Sequence, residues 1–174
     1  EGNRLVVDIG GGSTELIIGQ SMLPMRRESM YTGCVSASRR FFADGYITRK
    51  TMKAAVTDAS MILYSQASRF DSKKWDEAIG CAGTIKAIGN ILHEQGWCES
   101  GISYKGLKQL RDVMIEAGHV DKLNLVGLSD NRRAVIAGGL SVLLGVFKTL
   151  KIKHMLVSDQ GMREGLLYDL VGRI

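Results

Sequence analysis

The sequence predicts an α/β domain in which a mixed sheet is covered by helices. Three observations carry this. The opening 31 residues hold three apolar or β-branched runs separated by glycine-bearing turns, residues 48–70 and 103–150 hold helical apolar stripes, and two short apolar runs interrupt the helical part at 75–80 and 153–158. Strands that alternate with helices favour a sheet with helices packed on it. The order reads βββ-α-α-β-α-α-α-β-α.

Residues 4–9 (RLVVDI) form a β-branched run that stops at Gly10, Gly11 and Gly12. The apolar pattern resumes at 15–18 and ends at Gly19, and 22–31 supplies a third strand, which makes a meander joined by tight turns. A short helix is expected over 35–42. From 48 to 70 the apolar residues Met52, Ala55, Val56, Ala59, Ile62, Leu63 and Ala67 recur at three- and four-residue steps, a helical stripe. Residues 75–80 read as a strand, after which Gly83-Thr84 opens a helix to about His93. Ser103 is placed to cap a helix carrying Leu107, Leu110, Val113, Met114 and Ala117. Ser129 precedes a long helix to about Leu150, apolar enough to be buried. Gly138 and Gly139 lower its intrinsic propensity and point to close packing against another backbone. A strand over 153–158 and a helix over 161–170 complete the order.

The chain has 174 residues, enough for one full domain and short for two. No repeat or linker-like stretch divides it. Hydrophobic residues at 45%, charged residues at 24% and a mean hydropathy of +0.01 exclude a disordered or low-complexity chain. The uncharged stretch 134–147 falls short of the ~20 residues that a membrane span needs. The start, Glu-Gly-Asn-Arg, has neither an initiator Met nor a signal-peptide core, as expected of a piece of a longer chain. Cys34, Cys81 and Cys98 are odd in number and lack C-x-x-C spacing, so they predict neither a zinc site nor a disulfide framework and fit a reducing compartment. His93, His119 and His154 are scattered singly and read as surface or satisfied polar residues. The net charge of +5 comes with basic doublets such as Arg26-Arg27, Arg39-Arg40 and Arg132-Arg133. By itself a charge this modest fits solvated faces, although an anionic partner would use the same residues.

Glycine is the compositional outlier. The 21 glycines are about 12% of the chain against a usual ~7%, and without a period they cannot mean a fibrous repeat. They gather instead in three loops that follow strands: 8–15 (DIGGGSTE), 80–86 (GCAGTIK) and 158–165 (SDQGMREG). Loops beyond the carboxyl ends of strands line the ligand crevice of open α/β sheets, and glycine-rich backbone offers N–H groups to phosphate oxygens. Thr84 is placed to cap a helix or to add a hydroxyl beside such an anion, and Lys86 to supply a point charge or simply to be solvated. In the first loop, if Ile9 pairs with Thr14 around a four-residue turn, Asp8 lies opposite Glu15. Paired residues of an antiparallel ladder project from one face with Cβ atoms ~5 Å apart. Two carboxylates so placed repel unless a cation or water lies between them, a layout for Mg²⁺ near phosphate or for orienting an attacking water. The plainer alternative is a hairpin whose glycines only permit the turn.

The segment LVVDIGGGSTELIIG resembles the second phosphate loop of the actin-like phosphotransferase superfamily, and DIGGGSTE is similar to the form found in the Ppx/GppA family of exopolyphosphatases and guanosine pentaphosphate phosphatases. Gly33-Cys-Val-Ser36, GCAGTIKA at 80–87, Gly127-Leu-Ser129 and SDQGMREGLLY at 158–168 agree. The resemblance covers essentially the whole chain. It implies an actin-like (ribonuclease H-like) α/β fold, with residues 1–174 as the second lobe of a two-lobed phosphohydrolase. The implied reaction releases terminal orthophosphate from inorganic polyphosphate or the 5′ γ-phosphate of guanosine pentaphosphate, with Mg²⁺. It assigns Asp8 and Glu15 to metal and catalytic water. Gly10, Gly11, Gly12, Ser13 and Thr14 fall to the phosphate cradle, and Gly83 and Thr84 to a later loop facing the same cleft. In the family a first lobe brings another phosphate loop and a base glutamate. Neither is on this chain, so it is expected to turn over little alone. A cytoplasmic homodimer, at most peripheral on the inner membrane face and without a nucleic-acid partner, is implied for the full-length protein. The competing expectations are a lobe of an actin-like ATPase or sugar kinase, and a non-catalytic binding or assembly domain.

Overall fold

The computed structural model describes residues 2–21 and 23–159. Strands β1 (Arg4–Ile9), β2 (Thr14–Gln20) and β3 (Leu23–Met30) form the expected antiparallel meander. Helices α1 (Cys34–Phe41) and α2 (Arg49–Tyr64) follow, then β4 (Glu77–Cys81), α3 (Ala82–Glu94), the two-residue β5 (Ile102–Ser103), α4 (Tyr104–Ala117), α5 (Asp130–Leu150) and β6 (His154–Val157). The sheet order is β3-β2-β1-β4-β6-β5, with β1, β4 and β6 parallel neighbours. The carboxyl ends of three parallel strands therefore lie side by side. That edge is where a site is to be sought.

Alternation sorts the meander. Leu5, Val7 and Ile9 of β1 and Thr14, Leu16 and Ile18 of β2 are buried, which leaves Asp8 and Glu15 on the opposite face. The edge strand β3 is mostly exposed and carries Pro24, Arg26 and Arg27, residues that discourage pairing with another edge. At the other end of the sheet, β5 is a strand that the sequence pattern did not announce.

One hydrophobic core joins that buried face to the helices. Its axis is α5, which contacts α1, α2, α3 and α4. By length and composition α5 passes as a membrane span, but it is mostly buried within the fold. Its glycines explain the packing. A Cβ on Gly138 would stand 2.5 Å from both the carbonyl oxygen of Cys34 and the amide nitrogen of Ser38, and one on Gly145 2.8 Å from Cβ of Ala59. Gly138 thus lets α1 approach backbone to backbone, as its position in the sequence suggested. Gly138→Ala is expected to destabilise the chain by about 1–3 kcal/mol, the usual cost of overpacking, seen as a drop of roughly 4–10 °C in thermal melting. An unchanged melt would contradict this account of the α1–α5 contact.

The caps follow the sequence in part. Ser103 accepts a hydrogen bond from Gly106 N–H at 3.0 Å and caps α4 as expected. Ser129 holds the position before α5 but turns its hydroxyl to Asn131 Oδ1 at 2.7 Å instead of to backbone. Helix α2 ends at Tyr64, short of the expected Phe70. The apolar stripe runs past the helix end because Phe70 reaches the core from a run of turns. The helix expected over 161–170 lies outside the described residues.

Candidate active site

The pairing deduced from the sequence is present: Ile9 faces Thr14 and Asp8 faces Glu15. The row extends further, because Asp8 also neighbours Cys81 across the parallel β1–β4 pair and Glu15 neighbours Ser29 on β3. Across the sheet the order is Cys81, Asp8, Glu15, Ser29. Each outer residue donates to the carboxylate beside it. The Cys81 thiol lies 3.6 Å from Asp8 Oδ2, and it also lies 3.6 Å from the carbonyl oxygen of Val7. The Ser29 hydroxyl lies 2.8 Å from Glu15 Oε1. Two braced carboxylates thus stand next to each other. Burial raises the pKa of Asp8; the Cys81 hydrogen bond opposes that rise and the charge of Glu15 adds to it. Burial first, and then the negative Asp8, push the Cys81 thiol up to about 12, so near neutral pH it is a protonated donor and not a nucleophile.

The glycine loop is held from behind. Gly10 N–H closes the turn on the Ser13 carbonyl at 2.9 Å. The Gly10 carbonyl accepts from Cys34 N–H at 2.9 Å, and the Gly11 carbonyl accepts from Val35 N–H at 2.9 Å and Ser36 N–H at 3.1 Å. The first amides of α1, which a helix leaves unpaired, are consumed in gripping the loop. Gly33 makes this approach possible, since a Cβ there would lie 2.6 Å from the Gly11 carbonyl. With those carbonyls turned inward, the N–H groups of Gly11, Gly12 and Ser13 have no acceptor among the described residues. Gly11 and Gly12 are exposed. None of Gly10, Gly11 and Gly12 has a φ in the left-handed region, and a Cβ on Gly12 would meet nothing within 4 Å. The fold itself does not require glycine at position 12.

The two threonines are placed differently from the expected phosphate contacts. Thr14 sits on the core side, fully buried, and its hydroxyl donates to the Thr32 carbonyl at 2.6 Å. It braces the segment that leads into α1. Thr84 is the third residue of α3, is 3% exposed and packs beneath α5, where a Cβ on Gly139 would meet its methyl group at 2.5 Å. It is not the cap of α3, whose first turn has no capping side chain.

The second glycine segment is thus not a loop. Strand β4 passes straight into α3 through Ala82, which has a left-handed φ of 67°, a conformation costly for a residue with a Cβ. Gly83 lies under the guanidinium of Arg132, which comes from the first turn of α5: a Cβ on Gly83 would stand 2.6 Å from Cζ of Arg132. Arg132 is half-buried and its side chain has no partner among the described residues. The sequence offered it only as half of a basic doublet, and its place at the cleft follows from the orientation of α5. The third segment contributes Ser158 and Asp159. Ser158 N–H donates to the Gly80 carbonyl at 2.8 Å, and Lys86 donates to the Asp159 carbonyl. The remainder of that segment lies outside the described residues. As far as it is described, each glycine segment reaches the same edge of the sheet.

Hard oxygen donors from two adjacent strands suit a small divalent cation that completes its shell with water and substrate phosphate. Among the described residues, no cluster of three or more His, Cys, Asp and Glu side chains suggests an all-protein cage for a metal. Burial first, and the neighbouring charge of Glu15 after it, raise the pKa of Asp8, and a bound cation would oppose both.

Comparison with known proteins bears on this edge. Residues 1–174 match the Ppx/GppA phosphatase family along their whole length. The chain belongs to that family. It is 37% identical over 172 residues to an Aeromonas hydrophila protein named guanosine-5′-triphosphate,3′-diphosphate pyrophosphatase, covering 99% of this chain and 34% of the relative. It is 35% identical over 170 residues to a Haemophilus influenzae protein that bears a provisional exopolyphosphatase name, covering 98% of this chain and 53% of the relative. The crystal structure of the Aquifex aeolicus Ppx/GppA family member superimposes with a TM-score of 0.81 at 25% identity, over 99% of this chain and 57% of that one. The chain therefore spans about a third to somewhat over half of the proteins it matches. Its fold is the actin-like α/β domain of these relatives.

Proposed function

We propose that the chain forms one wall of an active site that releases the terminal phosphate of a phosphoanhydride chain, either inorganic polyphosphate or the 5′ γ-phosphate of guanosine pentaphosphate. One observation carries the reading. Three successive N–H groups that have no acceptor among the described residues, on a loop whose Gly10 and Gly11 carbonyls are tied back to α1, stand at the mouth of a hairpin whose first facing carboxylates are Asp8 and Glu15. Backbone amides fixed in this way bind phosphate oxygens without reorganising.

Asp8 and Glu15 fit Mg²⁺ as its protein ligands. When bound, the ion supplies positive charge against the transferring phosphoryl oxygens. The chain's own groups do the positioning. Gly11, Gly12 and Ser13 donate N–H groups to the terminal phosphate, and the Ser13 hydroxyl, without a partner among the described residues, adds a further donor. Ser29 fixes the Glu15 carboxylate and Cys81 that of Asp8, so that the oxygens not engaged by these donors are free to orient a water. Arg132, which lies over Gly83 with no side-chain partner among the described residues, neutralises a neighbouring phosphate of the substrate. We place the protein in the cytoplasm, a reading supported by its three unpaired cysteines.

Phosphate release by the full-length protein from polyphosphate and from guanosine pentaphosphate tests this. Glu15→Gln is expected to abolish turnover of whichever substrate the parent accepts, and Arg132→Gln to raise KM about tenfold, the size of one charge-assisted contact. Undiminished turnover in Glu15→Gln would remove the basis of the proposal.

A further inference from the structure

At the far end of α5 from the candidate active site, a groove of about 370 Å³ runs between α2 and α4. Lys148, on its rim, is 16 residues along α5 from Arg132, ~24 Å at 1.5 Å per residue. The groove floor is apolar, with Met52 and Leu144 among its residues, and its charged rim is of one sign: Arg49 and Lys53 from α2, Arg111 from α4 and Lys148 from α5. Lys108 joins them on the same face of α4, its ammonium 5.1 Å from the centroid of the Tyr104 ring. Among the described residues the sole carboxylate paired with this set is Asp112, 2.8 Å from Arg111.

Such an arrangement is unfavourable in the free protein. Arg49 and Lys53 are spaced i,i+4 on one helix, where like charges repel. Arg49 also stands in a first turn that holds no acidic residue, against the positive end of the helix dipole. A bound anion relieves both terms at once. We infer that this groove is a second anion site, remote from the glycine loop, that takes a stretch of linear polyphosphate. The cations follow one another at roughly 4.5–6 Å along α2 and α4, which suits a repeating anion better than a single phosphate. Nucleic acid is disfavoured, because Tyr104, the one aromatic ring among the described residues that line the groove, is already engaged. Tyr104 stacks on Phe147 at 6.2 Å and carries Lys108 over it, so it offers no free face for a base. The choice of polyphosphate rests on the phosphoanhydride reading of the glycine loop, whereas the groove's preference for a polyanion does not.

The test compares two triple variants of the full-length protein with equal loss of charge: Lys53→Gln/Arg111→Gln/Lys148→Gln in the groove, and Arg27→Gln/Arg39→Gln/Lys73→Gln outside it. The readouts are equilibrium binding of long-chain polyphosphate across a salt series and phosphate release from tripolyphosphate. The groove variant is expected to bind the long chain at least tenfold more weakly, with a shallower salt dependence, while hydrolysing tripolyphosphate like the parent. The outside variant should bind within about twofold of the parent. Equal weakening by both variants would overturn the inference, since it would reduce the effect to net charge. Parent-like binding by the groove variant would also overturn it, as would an RNA oligonucleotide that competes as well as polyphosphate per phosphate. If the triple variant does not fold, the single exposed change Lys148→Gln should still weaken long-chain binding two- to threefold. If the parent hydrolyses no phosphoanhydride yet loses polyphosphate binding in the groove variant, the proposed function fails and the groove stands.

Discussion

Replacing Gly12 with alanine is expected to leave the fold intact and to cut phosphate release by the full-length protein about tenfold to a hundredfold. The fold half follows from the geometry. Gly12 has no left-handed φ and the space its Cβ would fill is empty, so the substitution should match the parent melt or exceed it slightly through a less flexible unfolded chain. The activity half follows from what the empty space is for. A methyl group beside that N–H holds a phosphate oxygen away from it, and the loss of one charge-assisted hydrogen bond at about 1.5–3 kcal/mol corresponds to that range. Gly33→Ala provides the contrast. Its Cβ would collide with Gly11 backbone at 2.6 Å, so the grip of α1 on the loop must open, and melting temperature and activity should fall together. If Gly12→Ala releases phosphate like the parent, the loop is only a turn and the plainer hairpin reading prevails.

Some of this site was legible in the sequence because hairpin pairing is a counting problem. Once Gly10 to Ser13 is taken as the turn, every pair behind it is fixed, and a side-chain period of two puts Asp8 and Glu15 on one face. The parallel neighbour was out of reach. That Cys81 stands beside Asp8 depends on the register of β4 against β1, residues more than seventy positions apart, and no local pattern encodes it. The clamp of Cys34, Val35 and Ser36 on the loop is backbone hydrogen bonding between distant segments, silent in side-chain identity except at Gly33. That the side chains of Thr14 and Thr84 lie on the core side was illegible for a different reason. A motif gives residue order without the face, and the same alternation that exposes Asp8 and Glu15 buries Thr14. Two-residue β5 was too short to show any period, and Phe70 extended a helical stripe into turns because turn residues also fill cores.

Asp8→Asn is expected to lower phosphate release by roughly three orders of magnitude, taking about 4 kcal/mol for the charge stabilisation lost with the metal ligand, and to raise the thermal stability of the metal-free chain at neutral pH. The second effect separates a site residue from a structural one. Burial is the main cause that lifts the Asp8 pKa above its usual value, Glu15 adds to it, and the Cys81 hydrogen bond only partly opposes them. A carboxyl whose folded pKa is raised favours the folded state when protonated. Its contribution is fully present below the unfolded value of 3.8 and is lost as pH rises through the folded value. At neutral pH the ionised Asp8 therefore weighs against the fold, and an amide of the same shape removes that burden. The melting difference between variant and parent should be largest above the folded pKa and vanish as pH falls below 3.8. Mg²⁺ should then reverse the ranking, since it stabilises the parent by binding the folded state and finds one ligand fewer in the variant. A variant that melts below the parent at neutral pH without Mg²⁺ would show that Asp8 is held for the fold and not for a cation.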